Sequence, residues 1–124
     1  MSERDVFLVL DQMLEAARLA ASYVDGMQEE EFLADTRTQQ AVAMNLLIIG
    51  EAVMRLTRDH PDFLSQHGDF PWRSMVGMRN RIAHGYFELD FRVIWRTARS
   101  DALELLARLR SIYAAAGEPD GSPD

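Results

Sequence analysis

Apolar residues recur along this chain at intervals of three and four, the period of a helix with one buried face, and not at the interval of two that marks a half-buried strand. Phe7, Leu10, Leu14, Ala17, Ala21 and Val24 make the first such stripe. Ser2-Glu3-Arg4-Asp5 ahead of it reads as a capping box and Asp25-Gly26 behind it as a stop, so the pattern predicts a helix over about 3–24. The acidic stretch from Gln28 to Phe32 adds a helical turn or two. From Thr36 to about Asp59 runs the longest periodic segment, with Val42, Leu46, Ile49, Val53 and Leu56 on one stripe and Leu47, Ala52 and Met54 widening it. This pattern predicts a central, deeply buried helix. Glycine in mid-helix costs about 1 kcal/mol relative to alanine, so Gly50 marks a place where another helix packs closely.

His60-Pro61 ends that helix, because proline disfavours helical geometry in the residue before it, and the segment rich in Asp, Gly and His up to Pro71 reads as a loop. His60 and His67 lie in it without partner spacing and read as solvated. A third helix is expected from about Trp72 to His84, closed by Gly85 in a left-handed conformation. Asp90 then caps a fourth, carrying Val93, Ile94, Ala98, Leu103, Leu106, Leu109 and Ile112 to about Ala115. Gly117 to Asp124 has the composition of a disordered tail. The expectation is one all-α domain over 1–116, an antiparallel four-helix bundle, followed by a tail over 117–124. A chain of 124 residues can bury such a core unaided.

The absence of cysteine removes a disulfide framework, a thiolate zinc site and a cysteine nucleophile. The N-terminus has no basic run ahead of an apolar one, and no window reads as a membrane span, so a cytoplasmic protein without a membrane partner is expected. A net charge of −7 argues at first against a polyanionic partner. The distribution changes that picture. All 13 basic residues are arginine, and Pro71 to Phe87 holds three of them, Arg73, Arg79 and Arg81, with no carboxylate. Removing that +3 from −7 leaves −10 for the rest, so the segment is a basic island in an acidic chain. The guanidinium fork suits phosphate recognition.

The candidate chemistry lies in the same island. His84 falls at the end of the third helix, beside the partial negative charge of its last carbonyls, where a histidine serves either as a proton donor or simply as a C-terminal cap. Arg79 precedes it by five residues, roughly 140° around a regular helix, so the two do not share a face. Either the long arginine wraps around the helix or the site gathers groups from two copies of it. Asn80 and His84, four apart, do share a face and can orient one another. Cleaving RNA without a metal takes a base for the 2′-hydroxyl, an acid for the leaving oxygen and cations for the charged transition state. One chain offers one well-placed histidine, whereas a two-fold dimer would offer two, with at least four arginines.

Other chemistries find no support: the chain has no glycine-rich phosphate loop, no His-x-x-x-His pair, no nucleophile elbow, and so no cofactor or metal motif. Glu51, the one carboxylate among the mostly apolar residues of the central helix, is expected to pair with an arginine of the third helix. Trp72, Phe87 and Trp95 read as core or dimer contacts before they read as base-stacking platforms.

Arg79-Asn80-Arg81-Ile82-Ala83-His84-Gly85-Tyr86 resembles the R-x-x-x-x-H-x-Y signature of the HEPN superfamily. Asn45 with Ile49-Gly50-Glu51-Ala52, then Pro61, Pro71-Trp72, Phe87, Asp90 and Ile94-Trp95 extend the resemblance, in order, to the HepT-like toxins over roughly 3–113. This resemblance implies a helical, dimeric, metal-independent endoribonuclease, the toxin of a type VII-like toxin–antitoxin pair. Arg79 and His84 would line a cleft at the dimer interface, with Asn80, Arg73 and Arg81 helping to hold RNA. It also implies a minimal nucleotidyltransferase as antitoxin, able to silence the toxin by adding AMP to Tyr86. The alternative is a non-catalytic dimer that binds nucleotide or the nucleotidyltransferase partner.

Overall fold

A computed structural model describes residues 3–117, so the capping role of Ser2 and the expected tail beyond Gly117 lie outside the described residues. The first long helix, α1 (Glu3–Val24), buries Val9, Leu10, Met13, Ala17 and Ala20, and its run of alanines lets neighbouring backbones come close. After Asp25 and Gly26, which takes the left-handed φ of 79° that glycine allows, comes the short α2 (Glu29–Leu33). Gln28 N–H donates to Glu31 Oε1 at its start (2.8 Å), and buried Gln39 donates to the carbonyls of Phe32 and Leu33 at its end (both 3.0 Å). Asp35 caps α3 (Thr36–Asp59) by accepting from Thr38 N–H at 3.0 Å.

Helix α1 packs along α3 and the last helix, α7 (Ala102–Ala116), and α3 packs on α5 (Trp72–Gly85), so α3 is the central element. Val42, Ile49 and Leu56 of α3 meet Leu10 and Met13 of α1 and Leu105 and Leu109 of α7 in one core, each aliphatic side chain contributing about 1.5–3 kcal/mol by leaving water. At the core's edge the Tyr113 hydroxyl donates to Asp11. No strand occurs among the described residues, and the architecture is an all-α bundle, as the sequence and the HEPN resemblance lead one to expect.

Four details differ from the sequence expectations. The segment after His60 is not all loop: α4 (Pro61–Gln66) begins at Pro61, because a proline that ends one helix is well suited to the first position of the next. His60 and His67 are half-buried, His67 against Phe63 with its carbonyl accepting from Trp72 Nε1 at 2.9 Å. Asp69 anchors the same segment through a two-pronged pair with Arg108 (3.0 and 2.8 Å). Next, α5 (Trp72–Gly85) does not end in a left-handed glycine. Gly85 has φ −156°, and the chain tightens directly into a 3₁₀ turn at Tyr86–Glu88.

The third difference concerns the last helix, which is regular over α6 (Phe91–Arg96), widens to a π-helical turn at Thr97–Asp101, and resumes as α7 (Ala102–Ala116). Asp90 does cap it, accepting from Arg92 N–H at 3.0 Å. Finally, α3 is not buried all round: Met44, Ile48 and Met54 are exposed. By length and composition alone α3 is also long and apolar enough to cross a membrane, where the sequence reading saw no such window, although any 18-residue stretch of it carries Glu51 and an arginine. Half of that window is buried against its neighbours, as in the core helix of a bundle.

Candidate active site on helix α5

Gly50 sets the position of α5. A Cβ there would lie 2.2 Å from Arg79 Cβ and 2.8 Å from the Met75 carbonyl oxygen, so only glycine lets α5 approach this closely. Met75 and Ile82 are buried on that side, and Trp72 is buried where the helix begins. The stem of Arg79 is thereby laid along α3. Its Nε and Nη2 both meet Glu51 Oε1 at 2.7 Å, and its Nη1 donates to Asn80 Oδ1 at 3.1 Å. Glu51 is about half exposed (49 %) and Arg79 less so (21 %). A pair this open adds on the order of 0.2–1 kcal/mol of stability, so its main effect is to fix where the guanidinium points.

His84 faces elsewhere. It is exposed and lines a cleft of about 440 Å³ with Met78, Arg81, Glu88, Leu89 and Val93, while Arg79 is not among the cleft's walls. A single chain therefore does not bring Arg79 and His84 into one cavity. Asn80 shares the exposed face of His84 but is bonded to Arg79 and not to the imidazole. Arg73 and Arg81 are exposed, and among the described residues neither forms an ion pair. Tyr86, the first residue of the 3₁₀ turn, is half-buried, edge-on to Phe87 and Phe91 with ring centroids 5.8 Å away in both cases. Phe87 is fully exposed, whereas Trp72 is core and Trp95 packs on Phe32.

Along α5, Arg73, Gly77, Asn80 and His84 fall at helical intervals of four, three and four, and all four are exposed. A Cβ at Gly77 would meet nothing within 4 Å, unlike one at Gly50. Sequence reasoning passed over Gly77. Its only signal there was a second mid-helix glycine, whose cost nothing in the chain offsets. Glu88 was missed for a different reason: its place beside His84 depends on the 3₁₀ turn. Among the described residues, no three His, Asp or Glu side chains gather as a metal site would need.

An exposed imidazole that shares a cleft with the unpaired Arg81 guanidinium can move protons next to a phosphate that the arginine holds, although Glu88 and Asp90 line the same cleft. Comparison with known proteins bears on this arrangement. Residues 13–112 match the family model described as ribonuclease HepT-like. A probable ribonuclease HepT of Thermococcus cleftensis is 36 % identical over 103 residues, covering 83 % of this chain and 91 % of that protein. A presumptive RNase of Methanocaldococcus jannaschii is 35 % identical over 95 residues (77 % and 76 %), and one of Caldanaerobacter subterraneus is 32 % identical over 103 residues (83 % and 89 %). No solved structure matches the chain.

Proposed function

The chain belongs to the HepT-like ribonuclease family, and from that membership we propose that it is a metal-independent endoribonuclease, the toxin of a toxin–antitoxin pair, whose active site is completed by two copies of α5. The observation that carries this reading is the exposed His84 in one cleft with the unpaired Arg81, on a basic segment of an otherwise acidic chain, with the same chain's Arg79 outside that cleft.

In the proposed reaction a base takes the proton of a 2′-hydroxyl, whose oxygen attacks the adjacent phosphorus. The bond from phosphorus to the 5′ oxygen breaks, and an acid protonates that oxygen as it leaves. His84 of one copy serves as the base and His84 of the other as the acid. Arg79, held by Glu51, stabilises the charged phosphoryl oxygens, and Arg73 and Arg81 position the strand. Two features support a homodimer: the open glycine of α5, and the exposed Met44 and Ile48 one turn apart on α3, on the line that leads to Glu51.

The proposed off switch is AMP on Tyr86, added by a minimal nucleotidyltransferase antitoxin. A phosphate-bearing group two residues from His84 would compete with the substrate phosphate for the same arginines. Co-expression with the nucleotidyltransferase, followed by mass spectrometry of the Tyr86 peptide, tests this: an unmodified Tyr86 in silenced protein would reject it. For the reaction, the test is RNA cleavage in EDTA by wild type and His84→Ala. The reading expects loss of at least about 100-fold, and equal rates would refute it.

A further inference from the structure

A second acid-free run follows the signature. Phe91 to Ser100 contains Arg92, Arg96 and Arg99 and no Asp or Glu. Residues 71–100 together hold six arginines against Glu88 and Asp90, a net +4, so the remainder of the chain carries −7 − 4 = −11. The three arginines lie on α6 and the π turn, and all are exposed. Elsewhere Arg55, Arg58 and Arg108 are each tied to a carboxylate, but among the described residues no carboxylate pairs with Arg92 or Arg96. Unpaired exposed guanidinium groups keep their full capacity for phosphate.

The surface beside Arg96 and Arg99 is hollowed. Val93 forms part of the cleft that holds His84 and also lines a shallow depression of about 460 Å³ with Trp95, Arg96 and Arg99, which Asp101 closes at its far end. The two hollows thus adjoin through one residue. Arg92 lies on the exposed surface outside both hollows, one helical turn before Arg96. Trp95 rests on Phe32 at 5.4 Å between ring centroids, and the Arg99 guanidinium lies over the indole at 5.3 Å from its centroid. A guanidinium laid on an aromatic ring offers a flat cationic surface on which a base can stack. Helix α2, with Glu29, Glu30 and Glu31, packs on α6 and repels phosphate from that flank. The π turn keeps Thr97 and Ala98 buried while Arg96 and Arg99 remain outside.

We infer that this arginine track is a strand-holding surface: single-stranded RNA leaving His84 passes over Val93 along α6, its phosphates against Arg92 and Arg96 and a base against the Arg99–Trp95 pair. The inference rests on the ribonuclease reading for the direction from which the strand arrives. It makes substrate length a determinant of affinity, because only a strand that extends beyond the scissile phosphate reaches the track.

The test uses the full chain with Arg92→Gln and Arg96→Gln combined, and Arg92→Lys with Arg96→Lys as the charge-preserving control. Binding is measured with a fluorescent 20-nucleotide single-stranded RNA whose 2′-hydroxyls are methylated, so that it cannot be cut, across a salt series. Two lost phosphate contacts on a single strand should reduce the salt slope by about 1.4, and the lysine control should keep it. With unmodified RNA, the KM for the 20-mer should rise roughly tenfold with kcat within about twofold, while a trinucleotide substrate, too short to reach the track, shows no such rise. An unchanged slope and affinity in the glutamine variant overturns the inference, as does an equal loss on trinucleotide and 20-mer. If wild type binds the 20-mer with the expected slope difference but cuts no RNA, the track stands and the ribonuclease reading falls.

Discussion

Helix α5 has two sides that are built on opposite terms. Toward α3 everything is finished within one chain: Gly50 admits the helix, Met75 and Ile82 are buried, and Arg79 is held by Glu51 and Asn80. On the outer side Arg73, Gly77, Asn80 and His84 stand exposed, and the glycine has open space where Gly50 has none. The first side explains why the helix is where it is. The second carries groups that the fold does not need, which is the pattern expected where another molecule completes the structure.

Substitutions of the charged groups and of the packing residues should separate accordingly, with Arg79 counted among the former because only its stem belongs to the packing. The largest effects fall on activity: His84→Ala and Arg79→Ala should each reduce RNA cleavage by about 10²–10⁴-fold, with His84→Ala leaving the melting temperature unchanged. A His84→Ala protein that melts well below wild type would mean that the outer side is structural after all. Glu51→Gln should lower kcat more than it raises KM, because Arg79 then loses its orientation and not its charge.

On the inner side, Gly50→Ala forces a clash with Arg79 and Met75 and should destabilise the chain by roughly 1–3 kcal/mol, read as a fall in the urea midpoint. Gly77→Ala should do the reverse, stabilising the chain by about 0.5–1 kcal/mol, read as a rise in the urea midpoint, while weakening self-association and cleavage. Equal responses from the two glycines would erase the contrast between the sides.

The smallest effect belongs to the remote Asp69–Arg108 anchor. Its hydrogen-bonded guanidinium holds the Asp69 carboxyl below the usual carboxylate range. A lowered folded pKa contributes stability that is full above the unfolded value of 3.8 and is lost as pH falls through the lower folded one. Asp69→Asn should therefore melt slightly lower than wild type at neutral pH, converge with it in strong acid, and cleave RNA at the wild-type rate. Asp101 runs the other way. Burial, with Glu104 adding repulsion, pushes its carboxyl up, so Asp101→Asn should melt higher at neutral pH, with the gain vanishing at acid pH.

The long helices were legible in the sequence because burial imposes a period, and α1, α3 and the start of α5 fall where Leu10, Ile49 and Trp72 place them. Their junctions were less so. The pattern around Pro61 serves equally to end a helix or to begin one, and Gly85 fits both a left-handed stop and the 3₁₀ turn that occurs. The signature residues could be picked out, as could the angular offset between Arg79 and His84, which follows from helix geometry alone. What surrounds them could not. The partition of Arg79 toward Glu51 and of His84 toward Arg81 and Glu88 depends on how α5 sits on α3 and on the turn after Gly85.

The central claim is that catalysis needs two copies of the outer side of α5, and mixing tests it most directly. Wild type and His84→Ala are combined at fixed total concentration, allowed to exchange subunits, and assayed for RNA cleavage in EDTA. If the site takes one His84 from each copy, activity follows the square of the wild-type fraction, so an equal mixture retains about one quarter of the activity of undiluted wild type. A straight line, with about one half remaining at equal mixture, would mean that each chain works alone and would contradict the account.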